Sequence, residues 1–167
     1  MWSLFKKEAR PFNLTMRGGI SQLDNYRIIQ HPYNGYSNCY LIDTTLQDTV
    51  FREAELTFYD GRLGEVIAAR EVEPRDVESL FESMLKEFNS IYKYVDSPLC
   101  SLVKADTGLG LLGALGFGAM SLFNKKLETN RYWESADSVQ IKLSKIKDIH
   151  SLTNIRTYLI TEYSLVN

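Results

Sequence analysis

An amphipathic pattern between Glu73 and Tyr94 predicts the one long helix of this chain. Pro74 suits a first helical position, because it has no N–H to leave unpaired, and Asp76 and Glu78 add negative charge near the positive end of the helix dipole. Apolar side chains then recur at intervals of three and four residues: Val77, Leu80, Phe81, Met84, Leu85, Phe88, Ile91 and Tyr92. Such a stripe needs an apolar surface to cover, and the chain offers strand patterns on both sides of it.

The strand patterns predict an antiparallel sheet. Thr49–Tyr59 and Leu63–Ala69 flank Asp60-Gly61, a pair that favours a tight hairpin turn. Further strands are predicted at Ser37–Asp43, Leu99–Lys104, Arg131–Glu134, Val139–Leu143 and Ile155–Val166. We therefore expect an α+β fold in hairpin, helix, hairpin order, with a twisted antiparallel sheet of about five to seven strands packed on a helix at about 74–92.

The alternation of side chains predicts one apolar and one solvated sheet face. Val139, Ile141 and Leu143 share one face, while Gln140, Lys142 and Ser144 share the other. Glu53 and Glu55 are likewise expected on a solvated face. The predicted core consists of Val77, Leu80, Phe81, Met84, Leu85, Leu56, Phe58, Ile141 and Tyr158 or Leu159.

Length and charge limit the classes of function. A chain of 167 residues suits a single domain, 1–167, that buries its core without disulfides or metals. Its 19 basic and 21 acidic residues nearly cancel, which argues against a nucleic-acid partner. With two cysteines and two histidines at no metal-binding spacing, we expect no metal, no cofactor and a cytoplasmic protein with reduced thiols, although a pairing of Cys39 with Cys100 stays open.

An apolar run at 107–124 interrupts this ordinary composition. It has no charged residue and contains five glycines. Gly108, Gly110 and Gly113 match the G-x-G-x-x-G spacing, but the antiparallel strands that follow are the wrong context for a dinucleotide site. Three interpretations remain: a buried core element, an exposed loop that docks on a protein partner, or a lipid-facing segment followed by Lys125 and Lys126. A partner would contact Gly108, Leu109, Leu111, Leu112, Leu115 and Phe117.

Two other stretches carry aromatic side chains suited to binding. Tyr33 and Tyr36 lie in a predicted loop and either bind a partner or pack within the fold. Trp2, Phe5, Lys6 and Lys7 lie in the N-terminal segment 1–11, which either anchors weakly to an acidic membrane or packs on the domain. Together with the apolar run, this segment makes a peripheral membrane protein the alternative function.

A cysteine-dependent hydrolase is the less favoured alternative. A thiol nucleophile needs a base, and Cys100 with His150, oriented by Asp148 or Asp137, is the combination that the chain offers. The sequence does not bring them together, so no catalytic residue is assigned. Lys142, Lys145, Lys147 and Arg131 suggest a small basic patch, which we interpret as the solvated side of the last sheet.

The stretch "LTFYDGRLGEVI", the helix, and the strands "RYWES" and "VQIKL" are similar in pattern to small bacterial α+β domains of the hairpin, helix, hairpin kind. The similarity covers Leu56–Tyr163 and treats the apolar run as an insertion. It implies a binding or assembly module and carries over no functional residue. The sequence thus favours a non-enzymatic module that recognises another protein, or itself, through the glycine-rich segment.

Overall fold

The computed structural model describes residues 7–32, 38–96, 125–149, 151 and 153–166. The strands are β1 (Ile28–Gln30), β2 (Cys39–Asp43), β3 (Glu53–Tyr59), β4 (Arg62–Val72), β5 (Lys93–Val95), β6 (Lys125–Glu134), β7 (Val139–Ile149) and β8 (Ile155–Leu165). One α-helix, α1 (Val77–Ile91), lies between β4 and β5, and short 3-10 turns occupy Pro11–Asn13 and Ile20–Asn25. The predicted strand Leu99–Lys104 lies outside the described residues.

The strands form one open antiparallel sheet in the order β1-β2-β3-β4-β8-β7-β6-β5. The α+β class is confirmed, but the prediction of five to seven strands is wrong, because the described residues alone contribute eight. The outermost strands, β1 and β5, have only three residues each. Pieces that short contain too little alternation to be recognised in a sequence.

Helix α1 packs on the sheet with the apolar face that its periodicity predicted. Val77, Phe81 and Phe88 are buried, while Leu80, Met84 and Leu85 are partly buried against the same core. The ring of Phe88 meets that of Trp133 edge to face, with centroids 5.2 Å apart. Burial of these apolar side chains against β7 and β8, rather than helix propensity, is what stabilises a helix of this length.

The β3–β4 hairpin turns at Asp60-Gly61, as expected. Both residues have positive φ, 50° and 74°, which is the backbone of a type I′ turn. Tyr59 pairs directly with Arg62 across it. On the helix side of this hairpin, Leu56, Phe58 and Leu63 are buried, together with Ile141 and Leu159 from later strands.

The prediction of a solvated opposite face is confirmed at Glu53, which is exposed, but is wrong for much of that face. Gln140 and Ser144 are 6% and 1% exposed, and Glu55 is 8% exposed. The opposite face has its own buried cluster of Ile67, Ile146, Tyr158 and Ile160, so Tyr158 belongs there and Leu159 to the helix side. Alternation misleads at Ser144 because its hydroxyl, although buried, donates a hydrogen bond to the side-chain carbonyl of Asn130 at 2.7 Å.

The N-terminal residues cover the part of the sheet's helix side that α1 does not cover. Phe12, Leu14 and Leu23 are buried in the main core. The Asp137 carboxylate, in the turn between β6 and β7, holds this arm by accepting a hydrogen bond from the backbone N–H of Ala9 at 2.9 Å. The same oxygen also accepts a hydrogen bond from the Ser135 hydroxyl at 2.5 Å. The backbone N–H of Ala136 donates to the carbonyl of Lys7 at 3.0 Å.

Candidate functional site

The residues predicted to contact a partner all lie outside the described residues. They are Gly108, Leu109, Leu111, Leu112, Leu115, Phe117, Tyr33 and Tyr36. The structure does describe the two strands that the stretch 97–124 connects, β5 before it and β6 after it.

Strand β5 pairs with only the last part of β6. Lys93 lies opposite Glu134 and Val95 opposite Tyr132, whereas β6 begins much earlier, at Lys125. At about 3.4 Å per strand residue, the points where 97–124 leaves and rejoins the sheet are roughly 20 Å apart. A chain of this length reaches up to roughly 95 Å when extended, so the connection is far longer than its ends require.

A cleft lies at the start of α1, beside the first residues of β6. We call it the helix-start cleft, and its volume is about 250 Å³. Its apolar lining comes from Pro74, Val77 and Leu127. Its polar lining comes from Glu78, Thr129, Lys145, Lys147 and Thr157. Leu127 is 47% exposed, which leaves an apolar surface open at the cleft.

The two lysines of the cleft have different surroundings. The Lys145 ammonium donates to the Glu78 carboxylate at 2.6 Å and lies 4.8 Å from the centre of the Phe81 ring, so it anchors the helix to β7. Lys147 is exposed and lies directly opposite Leu127 in the β6–β7 pairing. An apolar side chain and a cation therefore stand next to each other at the cleft rim.

A second cavity, of about 600 Å³, adjoins the first across Pro74 and Thr157. Three carboxylates line it, those of Glu71, Glu73 and Asp76, together with Arg70 and Arg156. Arg70 donates to the carbonyl of Val50 at 2.9 Å and so belongs to the scaffold. The two sides of the Pro74 connection thus differ in charge, with lysines on one side and mostly carboxylates on the other.

The basic patch suggested by the sequence is divided by the sheet. Lys145 and Lys147 lie on the helix side, but Lys142 alternates to the opposite face. There Lys142 pairs with Glu162 at 3.2 Å and approaches Glu128 at 4.0 Å. Arg131, the fourth residue of the suggested patch, pairs with Leu143 and so shares the helix side with Lys145 and Lys147.

Cys39 lacks the properties of a nucleophile. Burial, followed by the charge of Glu55 and a hydrogen bond to it, raises the pKa of the Cys39 thiol to about 12. A thiol with such a pKa stays protonated at neutral pH and reacts slowly. Cys100 and His150 lie outside the described residues, and Asp137, one of the acids expected to orient the histidine, holds the N-terminal arm instead.

Within the described part of the chain, no group of three or more His, Cys, Asp or Glu side chains is arranged to hold a metal ion. The helix found in that same part is too short and too polar to cross a membrane. Comparisons of this chain with protein-family models, curated proteins and solved structures give no match.

Sequence reasoning missed the helix-start cleft. The alternation of side chains in the sequence already places Lys145 and Lys147 on the face of Ile141 and Leu143. It places Lys142 on the other face. The missing information was the early start of β6, which brings Leu127 opposite Lys147. No residue pattern marks that start, because the apolar run precedes it directly.

Proposed function

We propose that this chain is a non-enzymatic binding or assembly module, in which the α+β domain presents the glycine-rich segment 107–124 to a protein partner. The observation that carries this proposal is the excess length of the connection between β5 and β6. Antiparallel neighbours can be joined by two to five residues, and much longer connections are usually functional. The fold therefore does not require most of the stretch 97–124 to join these strands.

The composition of the segment supports the same proposal. The part 107–124 contains no charge, and its apolar residues Leu109, Leu111, Leu112, Leu115 and Phe117 are spaced by glycines. The described domain already has a core of its own on the helix side, with Trp133, Leu143 and Leu159 fully buried. An apolar segment beside a scaffold that has its own core on the helix side suits a partner surface.

Deletion of Gly108–Met120 tests the proposal. The expected result is an unchanged thermal unfolding midpoint together with loss of partner capture from a native lysate. A matched variant keeps the length and replaces Leu109, Leu111 and Leu112 with serine, and it should also fold and fail to capture. A melted domain in either variant would assign the segment to the core and contradict the proposal.

A further inference from the structure

We propose that the helix-start cleft is a docking site for a partner peptide that carries an apolar side chain next to a carboxylate. The proposal uses only residues outside the segment 107–124. It rests on the shape of the cleft, on the exposed Leu127 and on the position of Lys147.

The size of the cleft favours a side chain over a free metabolite. Its volume of about 250 Å³ falls below the range of about 300–1,000 Å³ that is usual for small-molecule pockets. Pro74, Val77 and Leu127 give it an apolar lining, suited to one aliphatic or aromatic side chain. A peptide inserts such a side chain while its backbone stays outside.

The positive charge beside the cleft favours an acidic residue next to the side chain that the peptide inserts. Lys147 is exposed and directly opposite Leu127, so a carboxylate next to the inserted side chain would reach its ammonium group. Lys145, two residue pairs further along the β6–β7 pairing, adds positive charge that Glu78 partly offsets. A nucleic acid is a poor alternative, because the chain has a net charge of -2 and three carboxylates outnumber two arginines in the cavity just across Pro74.

Selection of a phage-displayed library of random linear peptides on the purified full chain tests this site. We expect enrichment of peptides with a carboxylate adjacent to a leucine or aromatic residue. Leu127→Asp and Lys147→Glu should each weaken binding of an enriched peptide by about tenfold or more, the scale of an interface hot spot. Both positions are exposed, so both variants should keep the wild-type unfolding midpoint.

Leu46→Asp is the matched control, since Leu46 is a 92% exposed leucine far from the cleft in the chain and should leave peptide binding unchanged. The same selection on the variant without Gly108–Met120 should enrich the same peptides, which separates this site from the segment. Enriched peptides that bind Leu127→Asp as well as wild type would overturn the proposal, as would a failure to enrich any. Self-association that Leu127→Asp abolishes would assign the cleft to a second copy of the chain and would also overturn it.

Discussion

The indole N–H of Trp133 donates a hydrogen bond to the side-chain carbonyl of Asn89 across 2.9 Å. Trp133 is fully buried on β6, and Asn89 belongs to the last turn of α1. This bond joins the helix to the strand that begins where the segment 107–124 ends. It therefore helps to fix the scaffold on which both proposed binding surfaces depend.

Asn89→Ala should lower the free energy of unfolding by about 1–2 kcal/mol, because the buried indole N–H loses its partner. Urea unfolding followed by tryptophan fluorescence measures the change. Ser90→Ala is the control, since the Ser90 hydroxyl donates to the Glu87 carbonyl at an exposed position, and it should change stability by less than about 0.5 kcal/mol. An equal loss of stability in Asn89→Ala and Ser90→Ala would show that the Trp133–Asn89 hydrogen bond does not hold the helix.

Gly61→Ala should destabilise the protein by about 1 kcal/mol, because alanine pays a steric cost at positive φ. Gly61 has a φ of 74°, with no heavy atom within 4 Å of an added Cβ, so backbone conformation alone is tested. Gly19→Ala provides the comparison. Gly19 has a φ of −77°, and the substitution should be neutral or slightly stabilising. If both variants shifted the urea midpoint equally, the type I′ turn would be in doubt.

Cys39 should make the protein less stable as the pH rises. Its pKa is raised from 9.0 to about 12, so between these values the folded protein keeps a proton that the unfolded chain releases. The free energy of unfolding therefore falls across this window. Burial raises the pKa of Tyr92 to about 12 and that of Tyr163 as well, which adds a slope of the same sign.

The thiol itself gives the direct measurement. In a Cys100→Ser background, iodoacetamide should alkylate native Cys39 much more slowly near pH 9 than it alkylates the urea-unfolded chain. Cys39→Ser in the same background should reduce the loss of stability between pH 9 and 12. A native alkylation rate equal to the unfolded rate would contradict the raised pKa.

Asp137→Ala should release the N-terminal arm, because Ala9 and Ser135 lose the carboxylate oxygen to which both donate. Trypsin should then cleave after Lys7 faster than in wild type. Asp137→Asn keeps an acceptor oxygen and should restore most of the protection. Asp24→Ala, at an exposed site, should have no effect. Unchanged cleavage in Asp137→Ala would mean that burial of Phe12 and Leu14 holds the arm unaided.

The sequence predicted the long periodic elements, but it did not predict the three-residue strands or the burial of both sheet faces. The stripe from Val77 to Phe88 and the Asp60-Gly61 turn determine their local structures, because period and backbone preference agree there. The buried opposite face was missed, since Gln140 and Ser144 are polar by type yet buried by tertiary contacts. The helix-start cleft was missed because it depends on register across β6 and β7, which no local pattern contains.

Hydrogen exchange across residues 105–126 tests the central claim most directly, with the protein alone and with anionic vesicles. If 107–124 is presented to a protein partner, its amides should exchange fast in both conditions, while those of β7 and β8 stay protected. Protection that appears only with vesicles would make lipid the partner. Protection equal to that of β7 in the protein alone would place the segment in the core and contradict the proposed function.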